Sequence, residues 1–266
     1  MTARVLHVSD LHIGIRDAPE PKAALELLVS QLRPDLVLAT GDLAHRGRRV
    51  ELERVREMLE SLRAPYLVVP GNHDIPYTFP ARFSQTFAEW ERVFGPTEPT
   101  HESDGLLVVG LNSVRPWRQQ GGAVDDDALQ RATACLREAP ESALRVVALH
   151  HHLAAPPWRA ARKRPLRRRG QVLAALSEAG VELVVGGHVH QASVTELREF
   201  RSTVDGRTGS LVLATTPGFG RPRPHRSGEA QGLNLYESDA ETLTVLTFAW
   251  DGGSFAEVGR HSFRRR

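Results

Sequence analysis

A single cysteine, Cys135, excludes an internal disulfide framework and a thiolate metal cage. It sits in the helical-looking stretch Asp127–Glu138 and reads as a small, half-buried apolar residue with no catalytic role. Long hydrophobic runs are scarce too: none approaches the about 18 residues needed to cross a bilayer. Met1-Thr2-Ala3-Arg4 leads straight into a strand-like Val5–Val8 segment without the layout of a secretory leader, so a cytoplasmic protein is expected. Neither sign of charge is in large excess; the formal net charge is +2, although arginine dominates the cations and clusters locally. No internal repeat or linker-like composition divides the 266 residues, and one domain, 1–266, is expected. What remains is an ordinary globular mixture, 41% hydrophobic against 25% charged, which supports a sizeable core.

Short β-branched runs alternate with segments of helical period, the pattern of an α/β fold. Strands are predicted at Val5–Ser9, Leu36–Thr40, Tyr66–Pro70, Leu106–Leu111, Leu144–Leu149 and Leu183–Val185. Helices are predicted at Pro21–Leu32, Val50–Leu62, Ala81–Val93, Asp127–Glu138 and Gln171–Ala179; the second has apolar residues at 52, 55, 58, 59 and 62. After Gln191 the character changes. Leu211–Thr215, Leu233–Tyr236, Thr242–Trp250 and Phe255–Phe263 read as a largely antiparallel sheet, with turns such as Asp251-Gly252-Gly253 between them.

The chemistry sits where strands stop. Val5–Ser9 ends in Asp10-Leu11-His12, and residues two apart on extended backbone project to one side, so Asp10 and His12 can reach one ion. The next strand ends in Gly41-Asp42, the third in Gly71-Asn72-His73-Asp74, another in His150-His151-His152, and the last in Gly186-Gly187-His188-Val189-His190. Taken singly, each has a plain structural reading: His-x-His as surface or core decoration, Gly-Asp as a turn and helix cap, Gly-Asn-His-Asp as an Asx-rich turn. Together, at successive strand ends, they point to metal ligands, because the carboxyl ends of strands are where sites gather in open α/β sheets. The oxygen and imidazole donors suit Mn, Fe, Zn or Co.

Asp10-Leu11-His12, Gly41-Asp42, Gly71-Asn72-His73-Asp74, the histidine run and Gly187-His188-Val189-His190, in this order, resemble the calcineurin-like metallophosphoesterase family. Val69–Asp74 and the His-rich strand end are similar in particular to its class III cyclic-nucleotide phosphodiesterase branch. The resemblance implies a four-layer αββα sandwich of two mixed sheets with a dinuclear centre at the sheet edge, the antiparallel tail fitting the second sheet. It also implies one metal held by Asp10, His12, Asp42 and His190 and another by Asp42, Asn72, His188 and one histidine of the run, with Asp42 bridging. The position that matches the family pattern is His151, but Leu153 stands where that pattern has proline, and His150 stays open as the ligand. His73 is implied to stand beside the phosphate and stabilise charge or protonate the leaving oxygen, with Asp74 orienting its imidazole.

Two ions about 3.5 to 4 Å apart would lower the pKa of a bridging water and clamp phosphoryl oxygens during in-line displacement. The expected function is therefore metal-dependent phosphodiester hydrolysis by attack of a metal-bridging hydroxide, on cyclic nucleotides or related nucleotide diesters. A nuclease or phosphomonoesterase of the same family, and a non-catalytic binding scaffold, are the alternatives; a complete ligand set together with His73 favours an enzyme.

The basic run Arg159–Arg169 and the loop Arg221–Arg226 read either as a funnel for a nucleotide, a nucleic acid or an anionic lipid head, or as solvated surface. Phe79, Phe83, Phe87 and Trp90 follow the Asn72-His73 motif; they either cap the cleft and stack a base or, at 83, 87 and 90, form the buried stripe of a helix, which is the favoured reading. Trp117 and Trp158, in Pro-containing loops, are placed at the entrance.

Overall fold

A computed structural model describes residues 2–14, 19–118, 120–154, 163–199, 209–220 and 229–265. In chain order the elements are β1 (Ala3–Val8), α1 (Pro19–Leu32), β2 (Leu36–Thr40), α2 (Arg49–Ser61), β3 (Tyr66–Val69), α3 (Ala81–Ser84), α4 (Ala88–Phe94), β4 (Thr100–Ser103), β5 (Leu106–Gly110) and α5 (Asp126–Glu138). There follow β6 (Leu144–Ala148), α6 (Arg169–Glu178), β7 (Leu183–Gly186), β8 (Ser193–Glu199), β9 (Gly209–Thr215), β10 (Gly232–Ser238), β11 (Thr242–Trp250) and β12 (Phe255–Arg264). They form two six-stranded mixed sheets, in the orders β12-β11-β10-β1-β2-β3 and β4-β5-β6-β7-β9-β8.

The near-continuous apolar strands are explained by burial on both faces. In β2, Leu36 and Leu38 enter the core between the sheets, where they meet Val146, Val185 and Val245, while Val37 and Ala39 face an outer core. Leu25 and Val29 of α1, Leu52 and Val55 of α2 and Trp90 of α4 close that outer core. On the far side Ala132 and Leu136 of α5 and Leu176 of α6 pack on Val109, Val147 and Leu213. The result is helix, sheet, sheet, helix, the expected four-layer architecture. Among the described residues no helix is long and apolar enough to cross a membrane.

Two expectations need correcting, and two strands were not foreseen. The tail does not build the second sheet alone: β8 and β9 join it, whereas β10, β11 and β12 extend the first sheet, β10 pairing antiparallel with β1. The single helix expected over Ala81–Val93 is two short ones, interrupted at Gln85 (φ −141°), so only part of the aromatic stripe is buried: Trp90 fully and Phe87 partly, while Phe83 is 54% exposed. The edge strands β4 and β8, THES and SVTELRE, are too polar to register as apolar runs.

Two polar features pin the sandwich. His7 is buried in it, with Nδ1 2.8 Å from the Tyr236 hydroxyl and Nε2 2.7 Å from Thr40 Oγ1. After β12, Arg265 makes a paired contact with Glu182, just before β7, at 2.9 and 3.0 Å, and so ties the first sheet to the second.

Candidate dinuclear metal centre

The parallel strands β1, β2 and β3 of one sheet and β6 and β7 of the other end at the same edge of the sandwich, and the five predicted strand-end motifs meet there. Backbone shape does the aiming. Asp10 (φ 55°), His12 (49°), Asp42 (52°), His188 (70°) and His190 (55°) are all left-handed, which is uncommon for residues with a Cβ. The turns are locked by main-chain bonds between motifs: Asp10 N–H to Gly41 O, 2.9 Å, His12 N–H to Asp42 O, 3.0 Å, and Gly187 N–H to His150 O, 3.1 Å. A Cβ on Gly71 would fall on Asp42 N and Oδ1, so only glycine lets these two loops pack together.

Three groups of converging donor atoms result, the half-buried His12, His45 and His73 and two more deeply buried groups. Asp10 Oδ1 lies 3.1 Å from His190 Nε2 and 4.0 Å from His12 Nε2, and the two histidine Nε2 atoms are 3.4 Å apart. Beside them, Asp42 Oδ1 lies 3.4 Å from His150 Nε2, which is 3.1 Å from His188 Nδ1. Asp10, Asp42, His150 and His188 have at most 1% of their surface exposed. Asn72 Oδ1 is buried without a hydrogen-bond partner among the described residues. His150 Nδ1 donates to Thr40 O at 2.8 Å, since a carbonyl only accepts, and this turns Nε2 toward Asp42, where it could bind a cation in place of a proton. Imidazole nitrogens and carboxylate oxygens crowded into a buried space, with Asn72 Oδ1 among them, are what a pair of cations would satisfy, so the donor set fits the expected dinuclear site.

The electrostatics agree. Burial alone would keep His150 neutral, yet the Asp42 carboxylate raises it to about 9. Burial likewise opposes charge on Asp42, but His150 and His73 hold it well below the usual carboxylate range; Asp10 is lowered against burial by His190. Burial pushes His12 down to about 3 and His151 and His188 well below the ordinary imidazole value. Asp42 thus favours positive charge at His150, whereas burial keeps it off His12, His151 and His188.

Of the histidine run, His150 is the one that lies in a donor group. His151 Nδ1 is 2.8 Å from Ser113 Oγ and lies outside all three donor groups, and His152 stacks beside His188 at a ring separation of 6.0 Å. A second correction concerns Asp74. It does not orient His73: its carboxylate accepts the backbone N–H groups of Ala44 (2.7 Å) and Gly71 (2.8 Å), stapling the β2 and β3 loops. Burial, reinforced by Asp42, raises Asp74 to about 7. His73 is fixed instead by its own N–H to Asp42 Oδ1 (2.8 Å) and by Nδ1–H, which faces His45 O at 2.9 Å and the Tyr77 hydroxyl oxygen at 2.5 Å.

His45, Tyr77 and Ser113 were missed by sequence reasoning. His45 and Tyr77 lie three and four positions beyond Asp42 and His73, the only signal available. Of the basic run, Lys163–Arg169 is described: Lys163 donates to His188 O, Leu166 N–H to His152 O (3.0 Å) and Arg167 N–H to Gly122 O (2.9 Å), so this stretch lies along the site. Arg159–Arg162, Trp158 and Arg221–Arg226 lie outside the described residues.

The calcineurin-like phosphoesterase family model matches residues 3–192. A protein of Synechococcus named "probable cyclic nucleotide phosphodiesterase" is 28% identical over 211 residues, covering 73% of this chain and 76% of its own. The "cAMP/cGMP dual specificity phosphodiesterase" of Mycobacterium tuberculosis is 26% identical over 269 residues, covering 94% of this chain and 80% of its own. Among solved structures, a dimetal phosphatase from Danio rerio superposes with a TM-score of 0.68 at 14% identity, covering 99% of both chains. A purple acid phosphatase from yellow lupin seeds reaches 0.71 at 12% identity, over 100% of this chain and 54% of that one. These two share the fold. With its five strand-end motifs inside the matched segment, the chain belongs to the calcineurin-like phosphoesterase family.

Proposed function

We propose that this protein is a metal-dependent phosphodiesterase that hydrolyses cyclic nucleotides or related nucleotide diesters. The observation that carries the reading is the pair of adjoining donor groups, Asp10-His12-His190 and Asp42-His150-His188, with His73 registered on Asp42. Asp10, His12, Asp42 and His190 would hold one ion and Asp42, Asn72, His150 and His188 the other, with Mn, Fe or Zn suiting the donors. Two such ions would supply Lewis acidity toward the phosphoryl oxygens and hydroxide at neutral pH.

The chain's own groups do the rest. Gly71 and Asp74 hold the β2 and β3 loops in contact and so fix Asp42 relative to Asn72 and His73. The His45 carbonyl keeps the His73 proton on Nδ1 and leaves Nε2 as the second proton-carrying atom, which in the imidazolium form gives its proton to the leaving oxygen. The names of the two phosphodiesterases above support nucleotides as substrates. A lone cysteine fits a reducing, cytoplasmic setting.

The test is hydrolysis of bis(p-nitrophenyl) phosphate and of cyclic AMP by Mn-reconstituted protein, with metal measured by mass spectrometry. Activity that requires metal and disappears in Asp42→Ala is expected; protein that binds no metal, or binds it and cleaves neither diester, overturns the reading.

A further inference from the structure

Eight large hydrophobic side chains are exposed among the described residues, and all four aromatic ones, Tyr77, Phe79, Phe83 and Trp117, come from two segments that touch each other. Isolated exposed hydrophobics need no explanation, whereas a cluster does. The segments are joined by Arg82, which is 9% exposed and donates from Nε to Pro116 O (2.7 Å) and from Nη1 to Pro76 O (3.0 Å). Trp117 follows Pro116, whose carbonyl is held by Arg82 of the arm that bears Tyr77, Phe79 and Phe83. The inner end of the arm is at the site, because the Tyr77 hydroxyl lies 2.5 Å from His73 Nδ1. Two residues of extended chain reach only about 7 Å, so Phe79 begins within that distance of the residue that touches His73. Phe79 and Phe83, 82% and 54% exposed, stand with ring centroids 6.4 Å apart. An arm with a buried arginine anchor, two uncovered rings and its root beside His73 has the form of a platform for a planar ring of a ligand whose phosphate is held at that residue.

We propose that Phe79 and Phe83 form the subsite for the purine base of the substrate, so that specificity for nucleotides over other phosphodiesters resides in the 76–84 arm. The proposal rests on the phosphodiesterase reading. It commits to a base rather than a lipid chain or a protein surface, because a ligand fixed at His73 by its phosphate reaches the arm with the group that follows the sugar.

The experiment compares AMP with ribose 5-phosphate, which differ only by the base, as inhibitors of bis(p-nitrophenyl) phosphate hydrolysis and as ligands in calorimetry with Mn-reconstituted protein. AMP is expected to bind about 10-fold more tightly in the parent, and the ratio to fall to about one in Phe79→Ala/Phe83→Ala. Both side chains are exposed, so the variant is expected to keep the parent's circular dichroism and melting temperature; Phe83→Leu alone, with an intermediate ratio, serves as a milder second variant. Equal binding of the two ligands by the parent, or an unchanged ratio in the double variant, overturns the subsite. Failure of the parent to cleave bis(p-nitrophenyl) phosphate overturns the phosphodiesterase reading instead, and the calorimetric ratio still decides the subsite.

Discussion

The main-chain N–H of His73 donates to Asp42 Oδ1 at 2.8 Å, onto the same oxygen that His150 Nε2 approaches at 3.4 Å. The residue proposed to protonate the leaving group is therefore registered through its backbone to the carboxylate proposed to bridge the ions, and its imidazole can be removed without losing that registration. His73→Ala is expected to retain the parent's bound metal while kcat falls by about 100-fold. Metal analysis and steady-state kinetics on one preparation check this; unchanged turnover with unchanged metal would sink the role of His73.

Gly71 and Gly170 predict opposite outcomes for the same substitution. A Cβ at Gly71 meets Asp42 N and Oδ1, whereas one at Gly170, in α6, meets nothing within 4 Å. Gly71→Ala should displace Asp42 and lower activity by about 100-fold or more, the cost expected of roughly 1 Å misplacement. Gly170→Ala should leave activity alone and raise stability by about 0.5 kcal/mol. Activity assays and urea melts of both variants separate the two effects.

Arg265 and Glu182 are both nearly inaccessible, with side-chain exposures of 5% and 6%. Removing one partner leaves the other charged and buried. Arg265→Met is expected to cost about 3 to 5 kcal/mol, and Arg265→Met/Glu182→Met to recover much of it. A single variant as stable as the parent in urea melts would show that the pair is solvated in the folded protein.

His7 gives a pH dependence with a definite sign. Burial lowers its pKa to about 3 from an ordinary 6.5, with Asp10 opposing only in part. Between those values the unfolded chain binds a proton that the folded chain refuses, so this group makes stability fall as pH falls, by about 1.4 kcal/mol per pH unit. Going from pH 7 to 5, the parent should lose about 2 kcal/mol more than His7→Gln, which retains a donor and an acceptor toward Tyr236 and Thr40. Equal losses in the two proteins, measured by urea melts, would contradict it.

The fold class and the order of the site motifs were legible because each motif follows a strand buried on both faces, and such strands leave an uninterrupted apolar run that ends at Asp10, Asp42, Asn72, His150 or His188. The choice between His150 and His151 was not legible: once β6 stops at Ala148, side-chain direction depends on the turn, and it is the Thr40 carbonyl, from the other sheet, that captures His150. Asp74 misled for a similar reason, since its neighbour in sequence is His73 but its partners are the N–H groups of Ala44 and Gly71. The tail's division between sheets is set by pairing between distant strands, on which local alternation carries no information.

Ala3 pairs with Ser238 across β1 and β10, although every proposed ligand precedes Gln191. The segment holding the metal donors is thus not separable from the last strands: ended after Gln191, the chain would leave β1 with a bare flank and uncover Leu6 and Val8. Closing a loop of that size is slow, so during synthesis this flank of β1 stays unpaired until β10 has been made.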